Sequence, residues 1–261
     1  MTAFLEHHPK LLPALFFAAT LAAQAWLLLR FRKRGWTFPK AGRAPELDIP
    51  WEAVAALVGA VIAALLLLRG LWFEVVALVG VVVLVRAAGR APLAHFGLGP
   101  AAPVPFLRAP LLGLALALAV SLPLQLLAAG IEEGFRHFGL PTPPEPAVDL
   151  FHKTHGTQAL LGLVGFALVL GPLCEEAFFR GFLQPVLKAR LGRPALALGL
   201  SAAAFAAIHG HWVTLLPLFG FGLVQGLVYE CAGSLLLCFW VHFWFNAITV
   251  ASLLAEAASS K

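Results

Sequence analysis

The chain is a succession of apolar runs, each close to the length of a bilayer crossing. Eight are legible, at roughly 11–30, 51–68, 71–86, 107–130, 158–187, 194–210, 214–231 and 234–255; the third is short and carries Glu74. A crossing helix needs about 20 predominantly apolar residues. Lipid offers the backbone no hydrogen bonds, so a spanning segment satisfies its own as a helix or joins a closed barrel. None of these runs alternates with the two-residue period of a barrel strand. The expected fold is therefore all-α, a polytopic transmembrane helical bundle of about eight helices. Composition closes the alternatives: of 261 residues 61% are hydrophobic and 12% charged, roughly half the charge of a soluble domain. Such a chain cannot cover a water-facing surface of its size. That excludes a soluble globular protein, a disordered chain and a nucleic-acid binder working through a basic face.

The formal net charge of +5 fits positive loops at a bilayer surface. Basic residues gather after the first run (Arg30, Arg32, Lys33, Arg34, Lys40, Arg43), after the third (Arg86, Arg90, Arg108) and in and after the fifth (Arg180, Lys188, Arg190, Arg193). These alternate stretches hold thirteen of the eighteen Lys and Arg, which places them on the cytoplasmic side. The loop 131–156 then faces outward with Glu132, Glu133, Glu145 and Asp149, PTPPEP (141–146) reads as a stiff extended piece, and both termini face out. Glu6, His7 and His8 precede the first run where a signal peptide would be basic, and RFRKR (30–34) follows it as a stop-transfer signal, so it is expected to remain as a helix. Arg outnumbers Lys twelve to six amid abundant Ala, Gly, Leu and Pro, which points to a GC-rich bacterial genome and a multi-pass protein of the inner membrane. Cys174, Cys231 and Cys238 form no CxxC pair and no even set, and are expected to be small buried residues. No internal repeat supports a repeat-built transporter.

Ionisable and polar groups inside apolar runs cost energy, and chemistry is sought there. GPLCEEAFFRGFL (171–183) sets Glu175 beside Glu176, with Arg180 following. Glu176 and Arg180, four apart, share a helix face, while Glu175 points about 100° away. This divides their expected roles: Glu176 pairs with Arg180 as structure, and Glu175 remains free for chemistry. In SAAAFAAIHG (201–210), Ser201, Phe205 and His209 form a stripe at spacing four; in VHFWFNAI (241–248), His242 and Asn246 are again four apart. CAGSL (231–235) supplies a Gly-Ser turn in which Ser234 can cap the last helix. Glu175 and His209 lie seventeen residues either side of Gly192 in the turn LGRP. At ~1.5 Å per residue both stand about 20–25 Å from that turn, and His242 and Asn246 about 12 and 18 Å above Ser234, so all four fall in one slab near mid-membrane.

Taken together, EExxxR, FxxxH and HxxxN resemble the three motifs of the CAAX protease and bacteriocin-processing (CPBP/Abi) family of glutamic-type intramembrane endopeptidases, related to type II CAAX prenyl endopeptidase. The match consists of Glu175, Glu176 and Arg180, then Phe205 and His209, then His242 and Asn246, with Pro172, FRG (179–181) and the Gly-Ser turn in support. It covers about 155–255, and Ala232 stands where the family often has threonine. The resemblance divides the chain into N-terminal transmembrane helices with an outer loop (1–150) and an intramembrane protease core (151–261) containing the C-terminal four helices. It implies an endopeptidase cutting near the C-terminus or membrane anchor of a membrane-associated protein or peptide. Glu175 would activate water, His209 would be its proton partner, and His242 and Asn246 would stabilise the oxyanion.

Four other readings compete. A glutamate-activated water needs no cofactor, but Glu175, His209, His242 and Asn246 could instead hold zinc with an open water position; the chain lacks HExxH. GLSA (199–202) resembles a weakened rhomboid motif with Ser201 as nucleophile. Intramembrane Glu and His also suit a proton-relay transporter, and the same fold allows a non-proteolytic scaffold or immunity-type protein. On every reading the partners are the lipid bilayer and, for a protease, a membrane-borne substrate.

Overall fold

The structure, a computed structural model, describes residues 18–25, 29, 43–67, 72–98 and 102–259. Among the described residues every regular element is a helix. The expected first helix over 11–30 lies largely outside them, although 18–25 are helical, and the basic run at 30–34 lies outside altogether. The elements that follow are α1 (Trp51–Leu67), α2 (Trp72–Ala87), the single turn α3 (Pro92–His95), α4 (Ala109–His137) and α5 (Pro146–Lys153). Next come α6 (Thr157–Leu191), α7 (Pro194–Ile208), α8 (Leu215–Ala232) and α9 (Leu235–Ser259). By length and apolar composition α4, α6, α8 and residues Leu235–Ala257 of α9 can each cross a membrane; α1 and α7 are shorter apolar helices. The molecule is an α-helical membrane bundle.

Most expected runs end within a few residues of the observed helices, and two differences are physical. α4 continues past 130 to His137 because Glu132 and Glu133 pair with Arg136 at 3.0 and 2.7 Å, at the (i, i+4) and (i, i+3) spacings that support an exposed helical turn. The outer loop holds a helix of its own: PTPP is irregular, but α5 starts with Pro146 at its first position and turns Phe151 inward.

α6 is the axis of the site. α7 and α8 pack on each other, α7 on the cytoplasm-assigned end of α6, and α9 against α4 and α6. Gly113 permits the α4–α9 approach, since a Cβ there would stand 2.6 Å from the Cβ of Trp240. Gly233 (φ +62°) makes the turn into α9, and the Ser234 hydroxyl accepts the Leu237 N–H at 3.3 Å as the expected cap. Phe179, Phe182, Phe205, Phe221 and Tyr229 fill the shared core together with Val81 and Val85 of α2. The extended segment 43–50 is laced to the end of the bundle. Arg43 N–H donates to Glu230 O (2.7 Å), Lys188 Nζ to Ala44 O (2.8 Å) and Arg190 to Ile49 O.

Candidate active site

α6 is not a uniform helix. Two five-residue π turns, Phe166–Leu170 and Phe179–Leu183, flank the α-helical stretch Gly171–Phe178 that carries the two glutamates. Each π turn ends one residue before a proline's predecessor, and the sequence explains both. Gly171 N–H bonds Phe166 O instead of Ala167 O, and Pro172, the next residue, has no N–H to offer. Ala167 O is thus left without a helical donor, and the Asn246 side chain supplies one, Nδ2 to O at 2.8 Å. In the second turn Gln184 N–H reaches back to Phe179 O. Pro185 cannot serve Gly181 O, and His95 Nε2–H bonds it at 2.7 Å. Side chains from α9 and α3 therefore complete a backbone that the prolines interrupt, as membrane helices require.

The adjacent glutamates occupy different surroundings. Glu176 is fully buried, and its Oε1 meets Arg180 Nη1 (3.1 Å), Gln225 Nε2 (2.9 Å) and His242 Nδ1 (2.8 Å). A polar seam continues down α6 at spacing four. Arg180 Nη2 donates to Gly222 O (3.2 Å), Gln184 Nε2 to Gly226 O (3.2 Å) and Glu230 Oε1 (3.0 Å), and Lys188 Nζ to Glu230 Oε2 (2.9 Å). Glu175 faces away from this seam, 23% of its side chain exposed, with Oε2 3.7 Å from His242 Nε2. His242 thus stands between the carboxylates. Glu176 accepts from Nδ1–H, which leaves Nε2 directed at Glu175.

His209 terminates α7 and donates Nδ1–H to Phe205 O at 2.8 Å, which fixes Nε2 as the ring nitrogen clear of the backbone. Phe205 is the packing centre. The Arg180 guanidinium lies 4.7 Å over its ring, and the rings of His209 and His242 are 4.8 and 6.0 Å away. A cation over an aromatic face is favourable, more so when desolvated. Glu175, Phe205, His209, His242 and Asn246 all line one cavity of about 590 Å³, whose remaining wall is mostly apolar. Glu176 and Arg180 lie behind that wall. Nothing places the Glu175 carboxylate in contact with His209; its near neighbour is His242.

Two of the competing readings lose their geometry here. Among the described residues no three His, Cys, Asp or Glu side chains converge as ligands of a metal ion. The set Glu175, His209, His242 and Asn246 as placed therefore does not fit zinc. Ser201 is buried outside the cavity lining and spends its hydroxyl on Phe179 O (3.1 Å), in the second π turn, so it is not placed as a nucleophile. Sequence reasoning missed His95, Gln184, Gln225 and Glu230. Gln184 carried a signal in the four-residue spacing that links it to Glu176 and Arg180, and Glu230 in being a carboxylate within an apolar run.

The comparison with known proteins bears on this same stretch. A family model described as Type II CAAX prenyl endopeptidase Rce1-like matches residues 157–248, from the start of α6 to the turn of α9 bearing Asn246. Over that stretch the chain is similar to the Rce1-like family. The Rce1-like segment contains all seven motif residues, both π turns and most of the cavity wall. No curated protein and no solved structure matches the chain. The match and the four helices able to cross a membrane together point to a membrane protease.

Proposed function

We propose that this protein is an intramembrane endopeptidase of a bacterial inner membrane, hydrolysing a peptide bond near the C-terminus or membrane anchor of its substrate through a water activated by Glu175. The observation that carries the reading is the convergence of Glu175, His209, His242 and Asn246, from three helices, on one mostly apolar cavity. In the proposed reaction Glu175 takes a proton from water as the water oxygen bonds to the scissile carbonyl carbon. The resulting oxyanion needs donors aimed at it in a water-poor site. Asn246 keeps one amide N–H beyond the one given to Ala167 O. His242, oriented by Glu176, presents Nε2 at the level of Glu175 and acts as a donor when that nitrogen carries a proton. His209 Nε2 is the second proton station. Collapse of the intermediate breaks the C–N bond, and the proton held by Glu175 passes to the leaving amine nitrogen, so the reaction consumes one water.

The test compares wild type with Glu175→Gln on reporter substrates inserted in proteoliposomes. The amide retains the shape of the carboxylate but cannot take a proton, so turnover is expected to vanish while expression and thermal stability stay near wild type. A variant that keeps a tenth or more of wild-type turnover removes Glu175 from the role of base. Unchanged biological function of this variant would favour the scaffold reading.

A further inference from the structure

The wall of the cavity is asymmetric in charge. Its acidic side chains are Glu175 at the reacting level and Glu145 at the start of α5; among the described residues no Lys or Arg lines it. α5 forms part of the wall through Ala147, Val148, Leu150 and Phe151, while Asp149 and Lys153, on its other side, pair with each other away from the cavity. Glu145 occupies the capping position of α5, yet its side chain makes no capping bond, so the carboxylate is not consumed in holding the helix. The connection on which it sits is held by His211, whose Nε2–H donates to Pro143 O at 3.0 Å, two residues before Glu145 at the rim of the cavity.

We infer that the occupant of this cavity is an apolar, membrane-inserted peptide segment flanked by a basic residue, and that Glu145 and the inner face of α5 are its specificity determinants. This rests on the protease reading only for what happens to the segment after it binds. Val148 and Phe151 present uncharged surface to an apolar side chain, and a lysine or arginine at the rim meets Glu145. An acidic residue or a free α-carboxylate at that point meets a like charge, and among the described residues no Lys or Arg of the lining receives it.

The experiment reads binding, not cleavage, so that it stands apart from the chemistry. Glu175→Gln protein is placed in phosphatidylcholine nanodiscs with dansyl-labelled peptides that have an 18-residue Leu/Ala core and are flanked at both ends by Lys, Gln or Glu, about the length of a bilayer crossing. Affinity is expected in the order Lys, Gln, Glu, with about threefold per step, the size of a partly solvated charge pair. Adding Glu145→Lys should reverse the order, whereas Asp149→Lys, which makes the same charge change on the outer side of α5, should leave it as it was. Equal affinities for the three peptides, tighter binding of the Glu-flanked one, or a reversal produced equally by Asp149→Lys would each overturn the inference. The ordered binding without cleavage by the wild type would sink the protease reading and leave this one standing.

Discussion

Glu175 and Glu176 are joined by one peptide bond, and the helix turns one towards the cavity and the other into the seam between α6 and α8. The consequences of removing each charge should therefore separate. Glu176 holds three donors on one oxygen, with Arg180 and Glu176 both essentially inaccessible to water. Removing one partner of a buried pair leaves the other charge uncompensated and typically costs about 3–5 kcal/mol. Glu176→Gln is accordingly expected to lower the melting temperature in detergent sharply, where Glu175→Gln does not; equal melting temperatures for the two variants would dissolve the division of roles. His95 supplies a second test, outside the spanning helices. Burial, aided by Arg90, holds its imidazole below the ordinary value of 6.5, against the opposing pull of its bond to Gly181 O. Because the folded value is the lower one, the contribution of neutral His95 to stability is complete above about pH 6.5 and is lost as pH falls through the folded value. Thermal unfolding between pH 7.5 and 5 should thus fall more steeply for wild type than for His95→Gln, whose amide still donates to Gly181 O but does not titrate. The pairing of Glu176 with Arg180 was legible because its partners are four residues apart on one helix. Gln225, His242 and Glu230 complete the seam from 42 to 66 residues away in sequence, and no local spacing records such distances.

At the scale of the element, the decisive feature is the widening of α6 before Pro172 and Pro185. The apolar runs located the helices because burial in lipid demands length and hydropathy, which a sequence displays. They could not show a π turn, which changes the phase of a helix without changing its composition, nor α5, whose eight residues are too few for a periodic pattern to stand out. What the sequence did contain was a proline at each place where a carbonyl loses its donor. Pro172→Ala restores an N–H to the chain and permits a regular α turn over Phe166–Leu170. Ala167 O would then no longer depend on Asn246, and the phase of everything before Gly171 would shift relative to the glutamates. The variant is expected to be at least as stable as wild type and to lose roughly tenfold or more in kcat, while Asn246→Ala alone should cost about 10²–10³ in kcat, the usual loss for a transition-state donor. Combining the two separates the residue's duties. If Asn246 acted only by satisfying Ala167 O, Asn246→Ala should cost almost nothing further in the Pro172→Ala background. Retention of most of its kinetic cost there assigns Asn246 to the oxyanion as well.

At the scale of the whole molecule, the question is how a water and a peptide bond reach a site inside a helical bundle, and from which side. The cavity runs from the partly buried Glu175 at the centre of α6 to Glu145, Thr154 and α5 in the loop 138–156. That loop and the Gly192 turn lie at opposite ends of α6, 35 residues long, so the cavity opens towards the α5 end and is closed at the Gly192 end by the seam and the segment 43–50. The distribution of Lys and Arg predicts a cytoplasmic Gly192 end, and substrate and water would then enter from the outer face. Single cysteines at Arg193 and His155, both exposed, introduced after replacement of Cys174, Cys231 and Cys238, report the sidedness through an impermeant maleimide. Position 155 should label in intact cells and position 193 only after permeabilisation. Arg193 is preferable to Arg190 for this purpose, because Arg190 is engaged with Asp48 and the carbonyl of Ile49. The reverse labelling would put α5 and Glu145 in the cytoplasm, turn the mouth of the cavity inward, and make the basic flank of the substrate a cytoplasmic one, where positive residues next to a membrane anchor are commonest.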